Sequence, residues 1–268
     1  MTDFTSTARG DRVAFDRYGS GPALVFIAGA GPTRAGDPVT TETAQLAAAD
    51  GLATLVFDRL GRGESPADGT LDLDRELEAV AAAVEAAAGP GGGAVLCGHS
   101  SGCAIALRAA VAGLPIDGLV LWEAPLEGDA ADIAEWNAGF ERLLDAGEFE
   151  QAQMQYMRDM PPEFLEGAKA SPAWPHIVRA VPSLRADGEA LAWATEALEN
   201  HGLAGIRMPV LALYGTQTFP QMPLAAARIA AAVPGAEERP TSGAMHSWQA
   251  DSMAAELVAF VKAAAARD

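Results

Sequence analysis

The chain has 268 residues, of which 50% are hydrophobic and 20% are charged, so its composition is that of a folded globular protein rather than a disordered one. Its 18 basic and 36 acidic side chains give a net charge of −18, and such a field repels phosphate backbones and anionic lipid surfaces. Nucleic acid and membrane are therefore not expected as partners, whereas small neutral or cationic ligands are compatible with the charge.

The sequence predicts no targeting segment and no membrane span. Its first residues lack a basic segment followed by an apolar run, and no stretch approaches the roughly 18 apolar residues that cross a bilayer. We therefore expect a cytoplasmic protein. Cys97 and Cys103 are too few for a disulfide framework, and neither has a second Cys or His at zinc spacing. We expect both to be packing residues, and we expect no metal site.

Six short apolar runs alternate with alanine-rich segments of helical length. Strands this apolar are buried on both faces, so the pattern predicts an α/β fold with a mostly parallel sheet flanked by helices. The first two runs are joined by residues 19–22, which are too few for a crossover helix, so the sheet is expected to open with an antiparallel hairpin. The runs cover residues 13–18, 24–28, 54–58, 94–98, 119–123 and 210–215.

Between residues 123 and 210 the strand pattern gives way to apolar residues at helical spacing, interrupted by prolines. We interpret residues 126–205 as a helical lid inserted into a core formed by residues 1–125 and 206–268. A pocket beneath the lid would be apolar, although packing among lid helices is the commoner role of such side chains. The lining candidates are Trp136, Phe140, Met154, Met157 and Trp174.

The segment Gly98-His99-Ser100-Ser101-Gly102 is a G-x-S-x-G motif between an apolar run and a helical segment. This strand-turn-helix context is that of a nucleophile elbow, in which the glycines leave room for a tight turn. Ser100 is the predicted nucleophile, and Ser101 is a weaker candidate for that role. The backbone N–H of Ser101 and the positive end of the following helix would stabilise an oxyanion.

With this motif, the chain resembles a lid-bearing α/β-hydrolase over nearly its whole length. The resemblance implies a mostly parallel eight-stranded sheet flanked by helices, with an inserted helical lid. In that family a second oxyanion donor follows the third strand, where this chain reads Ala28-Gly29-Ala30-Gly31. The resemblance therefore assigns this role to the backbone N–H of Ala30. Residues 57–65 resemble the family's loop after the fourth strand, and we assign them a structural role.

A serine nucleophile needs a base within hydrogen-bonding reach, and this base is usually a histidine. His246 precedes the C-terminal helical segment, at the place where the family carries its catalytic base. His99 lies inside the elbow and would point away from the Ser100 hydroxyl. The remaining two, His176 and His201, belong to the lid and its exit, so His246 is the predicted base.

The family most often places the acid of the triad after the strand at 210–215, but residues 200–236 contain no Asp or Glu. The preceding strand delivers Glu123 at its carboxyl end, where catalytic groups of open α/β sheets gather. Glu123 is the predicted acid, and it would orient His246 and stabilise the imidazolium. Its alternative role is a cap or an ion pair at the lid hinge. The fallback candidates are Asp117, Glu127 and Asp129.

Several other kinds of protein are excluded by missing residues. The two G-x-G segments, at 29–31 and 61–63, lack the third glycine of a dinucleotide motif, and no Gly-Lys-Ser/Thr follows the glycine-rich loop at 89–93. We therefore expect no nucleotide and no other cofactor. Epoxide hydrolases and haloalkane dehalogenases of this fold would need Asp at position 100.

The remaining prediction is a serine hydrolase that cleaves a carboxylic ester or lactone through an acyl-enzyme. The placement of Glu123 resembles that in zearalenone-type lactonases, and segments 123–126 and 171–175 resemble small actinobacterial hydrolases of unassigned substrate. Carbon–carbon bond hydrolysis, thioester hydrolysis and acyl transfer stay open because they use the same triad, as does a receptor or cyclase-like protein on this fold. The expected partner is a small apolar substrate, and a homodimer is compatible with the sequence.

Overall fold

The computed structural model describes residues 2–266, which form one nine-stranded sheet with helices on both of its faces. The strands are β1 (Asp3–Ser6), β2 (Arg12–Gly19), β3 (Ala23–Ile27), β4 (Ala53–Phe57), β5 (Ala94–His99), β6 (Ile116–Trp122), β7 (Val210–Gln217), β8 (Glu237–Ala244) and β9 (Ser247–Trp248). The helices are α1 (Pro38–Ala49), α2 (Leu73–Ala88), α3 (Ser101–Val111), α4 (Ala130–Asp145), α5 (Phe149–Tyr156), α6 (Pro162–Ala170), α7 (Trp174–Ala180), α8 (Arg185–Glu199), α9 (Gln221–Ala232) and α10 (Ala250–Ala265).

The strands lie in the order β1-β2-β4-β3-β5-β6-β7-β8-β9, and neighbours from β4 through β8 are parallel. All five residues of β3 and of β4 are buried, as strands covered on both faces must be. The predicted α/β fold with a mostly parallel sheet is confirmed. The sheet has nine strands rather than eight because the chain turns back after β8, and β9 pairs antiparallel with its end.

The predicted hairpin between the first two apolar runs is wrong. Strand β2 pairs antiparallel with β4, and β3 lies on the far side of β4, so residues 19–22 carry the chain past the end of β4. The antiparallel hairpin at the start of the sheet is instead formed by β1 and β2. Strand β1 is short and mostly exposed, and β8, which β9 pairs with only at Gly243 and Ala244, is mostly polar, so neither produces an apolar run.

Two apolar clusters cover the faces of the sheet. On one face, α2 and α3 bury side chains such as Val80 and Ile105 against the strands. On the other face, α1 and α10 enclose a cluster that includes Leu257 and Trp248. Each fully buried side chain of this size contributes about 1.5–3 kcal/mol, so the sheet and its two helical layers form a rigid base for the loops at the strand ends.

The segment between β6 and β7 consists of helices α4 to α8. Trp136, Phe140 and Tyr156 form the centre of a separate apolar cluster there. Helix α8 also packs on the body, because Ala190 and Ala194 belong to the cluster that covers α3. Helices α6 and α7 bury no side chain completely. This part of the chain is therefore anchored by α8 and more exposed at α6 and α7. No helix among residues 2–266 is long and apolar enough to cross a membrane.

Candidate active site

Ser100 lies at the tight turn from β5 into α3, with a φ of 56° and a ψ of −128°. A positive φ is strained for a serine and persists only where the surroundings enforce it. A side chain at Gly98 would lie 2.7 Å from the backbone of Cys103, and one at Gly102 would lie 2.3 Å from the carbonyl oxygen of Ile27. The two glycines thus let β3 and α3 close on the turn, which leaves Ser100 at the N-terminus of α3.

His246 and Glu123 form a direct hydrogen bond. The His246 Nδ1–H donates to Glu123 Oε2 at 2.7 Å, and the Gly215 N–H donates to the other carboxylate oxygen at 2.8 Å. The Glu123 side chain is fully buried. Burial raises the pKa of Glu123, but the bonds from His246 and Gly215 outweigh it, so the pKa lies below the ordinary 4.5. An ionised carboxylate therefore holds Nδ1 and leaves Nε2 of His246 for the reaction.

The backbone of His246 is held in place from the elbow and from β6. His246 has a φ of 70° and the preceding Met245 one of 50°, so the loop is strained at this point. The His246 carbonyl oxygen accepts hydrogen bonds from His99 Nε2 at 2.9 Å and from Trp122 Nε1 at 3.3 Å. Burial and the proximity of His246 lower the pKa of His99 to about 4, so its ring is neutral at physiological pH. His99 thus fixes the loop that carries His246, a role that the sequence analysis did not assign.

Ala30 and Ser101, the predicted oxyanion donors, line the same cavity as Ser100. A side chain at Gly29 would come within 2.8 Å of Ser100 Cβ, so the loop after β3 passes directly against the elbow. Ser101 is the first residue of α3, whose first N–H groups have no partner within the helix. The Ser101 side chain turns away into the interior.

A group of buried charged residues lies behind the oxyanion loop. Asp187 of α8 accepts bonds from Arg59 Nη1 at 2.6 Å, from Arg62 Nη2 at 2.7 Å and from Ser101 Oγ at 2.6 Å. Arg59 also pairs with Glu76 at 2.9 Å, so two cations face two carboxylates. Burial raises the pKa of Asp187, but the two arginines outweigh it and keep the carboxyl ionised. The sequence analysis gave residues 57–65 a structural role and did not identify Asp187, which no motif marks.

The cavity above Ser100 has a volume of about 590 Å³, the size of a small-molecule site. Trp136 and Met157 line it, whereas the other three lining candidates do not. Phe140 is fully buried and stacks behind Trp136, Met154 contacts Lys169, and Trp174 bonds to Glu150. The apolar wall consists of Ala30, Pro32, Pro125, Ile133, Trp136, Met157, Met160, Pro161, Phe164, Leu191, Phe219, Met222 and Met245.

The other candidates for base and acid lie elsewhere. His176 contacts Arg179 within α7, and His201 follows α8. Among the fallback acids, Asp129 caps α4 through its bond from Ala131 N–H. Asp117 lies near the start of β6 beside Gly93, and Glu127 reaches the cavity wall. The strand-end position thus brings Glu123 rather than these residues to His246.

Comparisons with known proteins identify the family of the chain. The model of the alpha/beta hydrolase family matches residues 24–260. The chain is similar to an alpha/beta hydrolase from Sphaerobacter thermophilus DSM 20745, with 29% identity, a TM-score of 0.79 and coverage of 96% of this chain and 99% of that one. No curated protein matches the chain.

More distant solved structures share the fold. A thermophilic esterase from Thermogutta terrifontis is 16% identical, with a TM-score of 0.65 and coverage of 100% of this chain and 98% of that one. The enol-lactonase from Burkholderia xenovorans LB400 is also 16% identical, with a TM-score of 0.56 and 98% coverage of both chains. The family match extends over most of the sequence and includes the elbow, Glu123 and His246. The chain therefore belongs to the alpha/beta hydrolase family.

Proposed function

We propose that this protein is a serine hydrolase that cleaves a carboxylic ester or lactone of a small apolar molecule. The observation that carries the proposal is the 2.7 Å bond between His246 Nδ1 and Glu123 Oε2, in a chain whose elbow presents Ser100 to the same cavity. A histidine held in this tautomer by a buried carboxylate can accept a proton at Nε2, and a serine hydroxyl needs such a base.

The reaction begins when the Ser100 hydroxyl attacks the acyl carbonyl and its proton passes to His246 Nε2. The carbonyl oxygen becomes an oxyanion between the N–H groups of Ala30 and Ser101, and Glu123 stabilises the imidazolium. The tetrahedral intermediate collapses, the alcohol leaves with the proton from His246, and the acyl group remains on Ser100. Water, deprotonated by His246, then releases the acid and restores the serine.

The cavity wall supports an uncharged, apolar substrate. Its aromatic and methionine side chains offer an apolar surface, and the acidic residues that reach it are Glu127 and Asp159. Neither Lys nor Arg belongs to its described lining. A carboxylate-bearing substrate would therefore meet repulsion, in addition to the field of a chain with a net charge of −18. Solved structures of the same fold include a named esterase and a named enol-lactonase, which is consistent with cleavage of an ester or a lactone.

The proposal is tested by hydrolysis of p-nitrophenyl esters and of lactones by wild type, Ser100→Ala and the surface variant Ser20→Ala. We expect turnover by wild type and Ser20→Ala, and a loss of more than about 10³-fold in Ser100→Ala, because the nucleophile is gone. A Ser100→Ala variant that is folded and retains wild-type turnover would refute the proposal. A panel of acyl chain lengths and lactone ring sizes then identifies the preferred substrate.

A further inference from the structure

We propose that Arg62 is a positioning residue of the oxyanion site, and that Asp187 holds Arg62 in place. This inference rests on the proposed hydrolase function and assigns a role to the buried charged residues behind the oxyanion loop. Arg62 and Asp187 do not contact the substrate, because their side chains are only 1% and 0% exposed.

The contact that matters joins Arg62 to the carbonyl of Gly29. Arg62 Nη1 donates to Gly29 O at 2.6 Å, which is short for a hydrogen bond and typical of a charged donor. The Gly29 carbonyl and the Ala30 N–H belong to the same peptide group, which is planar and trans. In a trans peptide these two bonds point in opposite directions. A guanidinium that fixes the carbonyl therefore also fixes the direction of the Ala30 N–H, away from Arg62.

The bond from Arg62 to the Gly29 carbonyl also strengthens the Ala30 N–H as a hydrogen-bond donor. A cation at a carbonyl oxygen polarises the peptide and makes its N–H a better hydrogen-bond donor. Ala30 lines the cavity next to Ser100, where the oxyanion forms. Arg62 would thus contribute to transition-state stabilisation through the peptide, because a preorganised donor does not have to reorient when the charge develops.

Arg62 is itself fixed by three further contacts. Its Nη2 pairs with Asp187 Oδ2 at 2.7 Å, its Nε donates to Ser183 Oγ at 3.0 Å, and its Nη2 also reaches the Ser183 carbonyl at 3.3 Å. Asp187 and Ser183 both lie in the segment between β6 and β7 that covers the cavity. The position of the oxyanion donor is therefore coupled to the docking of this segment on the body.

Arg62→Met removes the bond to Gly29 while it preserves most of the side-chain volume. Arg62→Lys keeps a charge for Asp187 but lacks the planar fork in which Nη1 and Nη2 bond to the Gly29 carbonyl and to Asp187 separately, so we expect the carbonyl to be held less firmly. Arg75→Met is the matched control, since Arg75 of α2 pairs with Asp11 through two hydrogen bonds and does not line the cavity above Ser100. Arg62→Lys also covers the outcome in which Arg62→Met fails to fold.

Steady-state kinetics on a p-nitrophenyl ester are combined with the binding of two inhibitors. Ser100 adds to an alkyl trifluoromethyl ketone to form a hemiketal whose oxygen is an oxyanion, whereas the matching methyl ketone binds as the ketone and forms no oxyanion. We expect both Arg62 variants to lose roughly 10- to 100-fold in kcat with KM nearly unchanged, which is less than the loss of a whole donor. The affinity for the trifluoromethyl ketone should fall by a similar factor, and the affinity for the methyl ketone should not change.

A role restricted to folding predicts a different result. Arg62→Met would then lower the melting temperature, while its kcat and both inhibitor affinities per folded molecule would stay at wild-type values, as in Arg75→Met. A folded Arg62→Lys with wild-type kcat and unchanged trifluoromethyl ketone binding overturns the inference. A wild-type protein that neither hydrolyses the ester nor binds the trifluoromethyl ketone would instead refute the proposed function.

Discussion

Replacing Glu123 by Gln tests the acid of the proposed triad, because the change keeps the shape of the side chain and removes its charge. The Gly215 N–H donates to one carboxylate oxygen, so the single oxygen of a glutamine stays there and its NH₂ group faces His246. An NH₂ group can only donate, and it forces the proton of His246 from Nδ1 to Nε2. The ring then presents an N–H to Ser100 and cannot accept the hydroxyl proton.

The size of the effect follows from the charge lost beside the imidazolium. At a separation of about 4 Å and an effective dielectric constant near 20, two unit charges attract by about 4 kcal/mol. At about 1.4 kcal/mol for each tenfold change in rate, this corresponds to about 10³-fold in kcat. The wrong tautomer adds to the loss, so we expect a decrease of about 10³- to 10⁴-fold.

The assay is kcat/KM for a p-nitrophenyl ester, with Asp129→Asn as the control because Asp129 caps α4 outside the site. The melting temperature of each variant is measured alongside, since Glu123 is buried and its replacement also affects folding. Asp129→Asn should stay within about twofold of wild type. Equal losses in the two variants, or a folded Glu123→Gln with near wild-type activity, would refute the assignment of the acid.

Three further predictions concern stability and selectivity. Burial and the nearby Glu141 raise the pKa of Glu189 to about 7, so between pH 4.5 and about 7 the folded state retains a proton that the unfolded state has released, and stability falls as pH rises through this window. Glu189→Gln should remove this contribution to the pH dependence of the melting temperature and raise the melting temperature at pH 8. An unchanged pH dependence would contradict the reasoning. Gly102→Ala places a Cβ 2.3 Å from the Ile27 carbonyl oxygen, so we expect a loss of soluble protein or a lower melting temperature, whereas the open position Gly167 should tolerate alanine. A hemisuccinate aryl ester should show a kcat/KM at least about 10-fold below that of the neutral butyrate ester, and the difference in kcat/KM should narrow at high salt. Equal values would show that Glu127, Asp159 and the negative net charge do not select against anionic substrates.

The chemistry of the elbow is visible in the sequence because it depends on local structure. An apolar strand, two glycines around Ser100 and a helical segment occupy consecutive positions, and the structure builds them as β5, the turn and α3. Glu123 could be proposed because residues 200–236 lack any acid, which leaves the end of β6 as the alternative. The structure places its Oε2 at 2.7 Å from His246 Nδ1.

What the sequence does not reveal depends on contacts between distant segments. Asp187 meets Arg59 and Arg62 across more than 120 positions, and no periodicity or motif links them. The lining of the cavity depends on how the helices between β6 and β7 pack: Phe140 and Trp136 share α4, but only Trp136 reaches the cavity. Most residues of β8 are exposed or half-buried and polar, so this strand lacks the apolar run by which the other strands were predicted.

The most direct test of the proposed mechanism is the intact mass of the protein after incubation with an alkyl fluorophosphonate, followed by peptide mapping of the adduct. We predict one adduct on Ser100 in wild type, no adduct in Ser100→Ala, and labelling slowed by at least about 100-fold in His246→Ala, because the hydroxyl then has no base. An unlabelled wild-type protein, or an adduct on Ser101 instead, would contradict it.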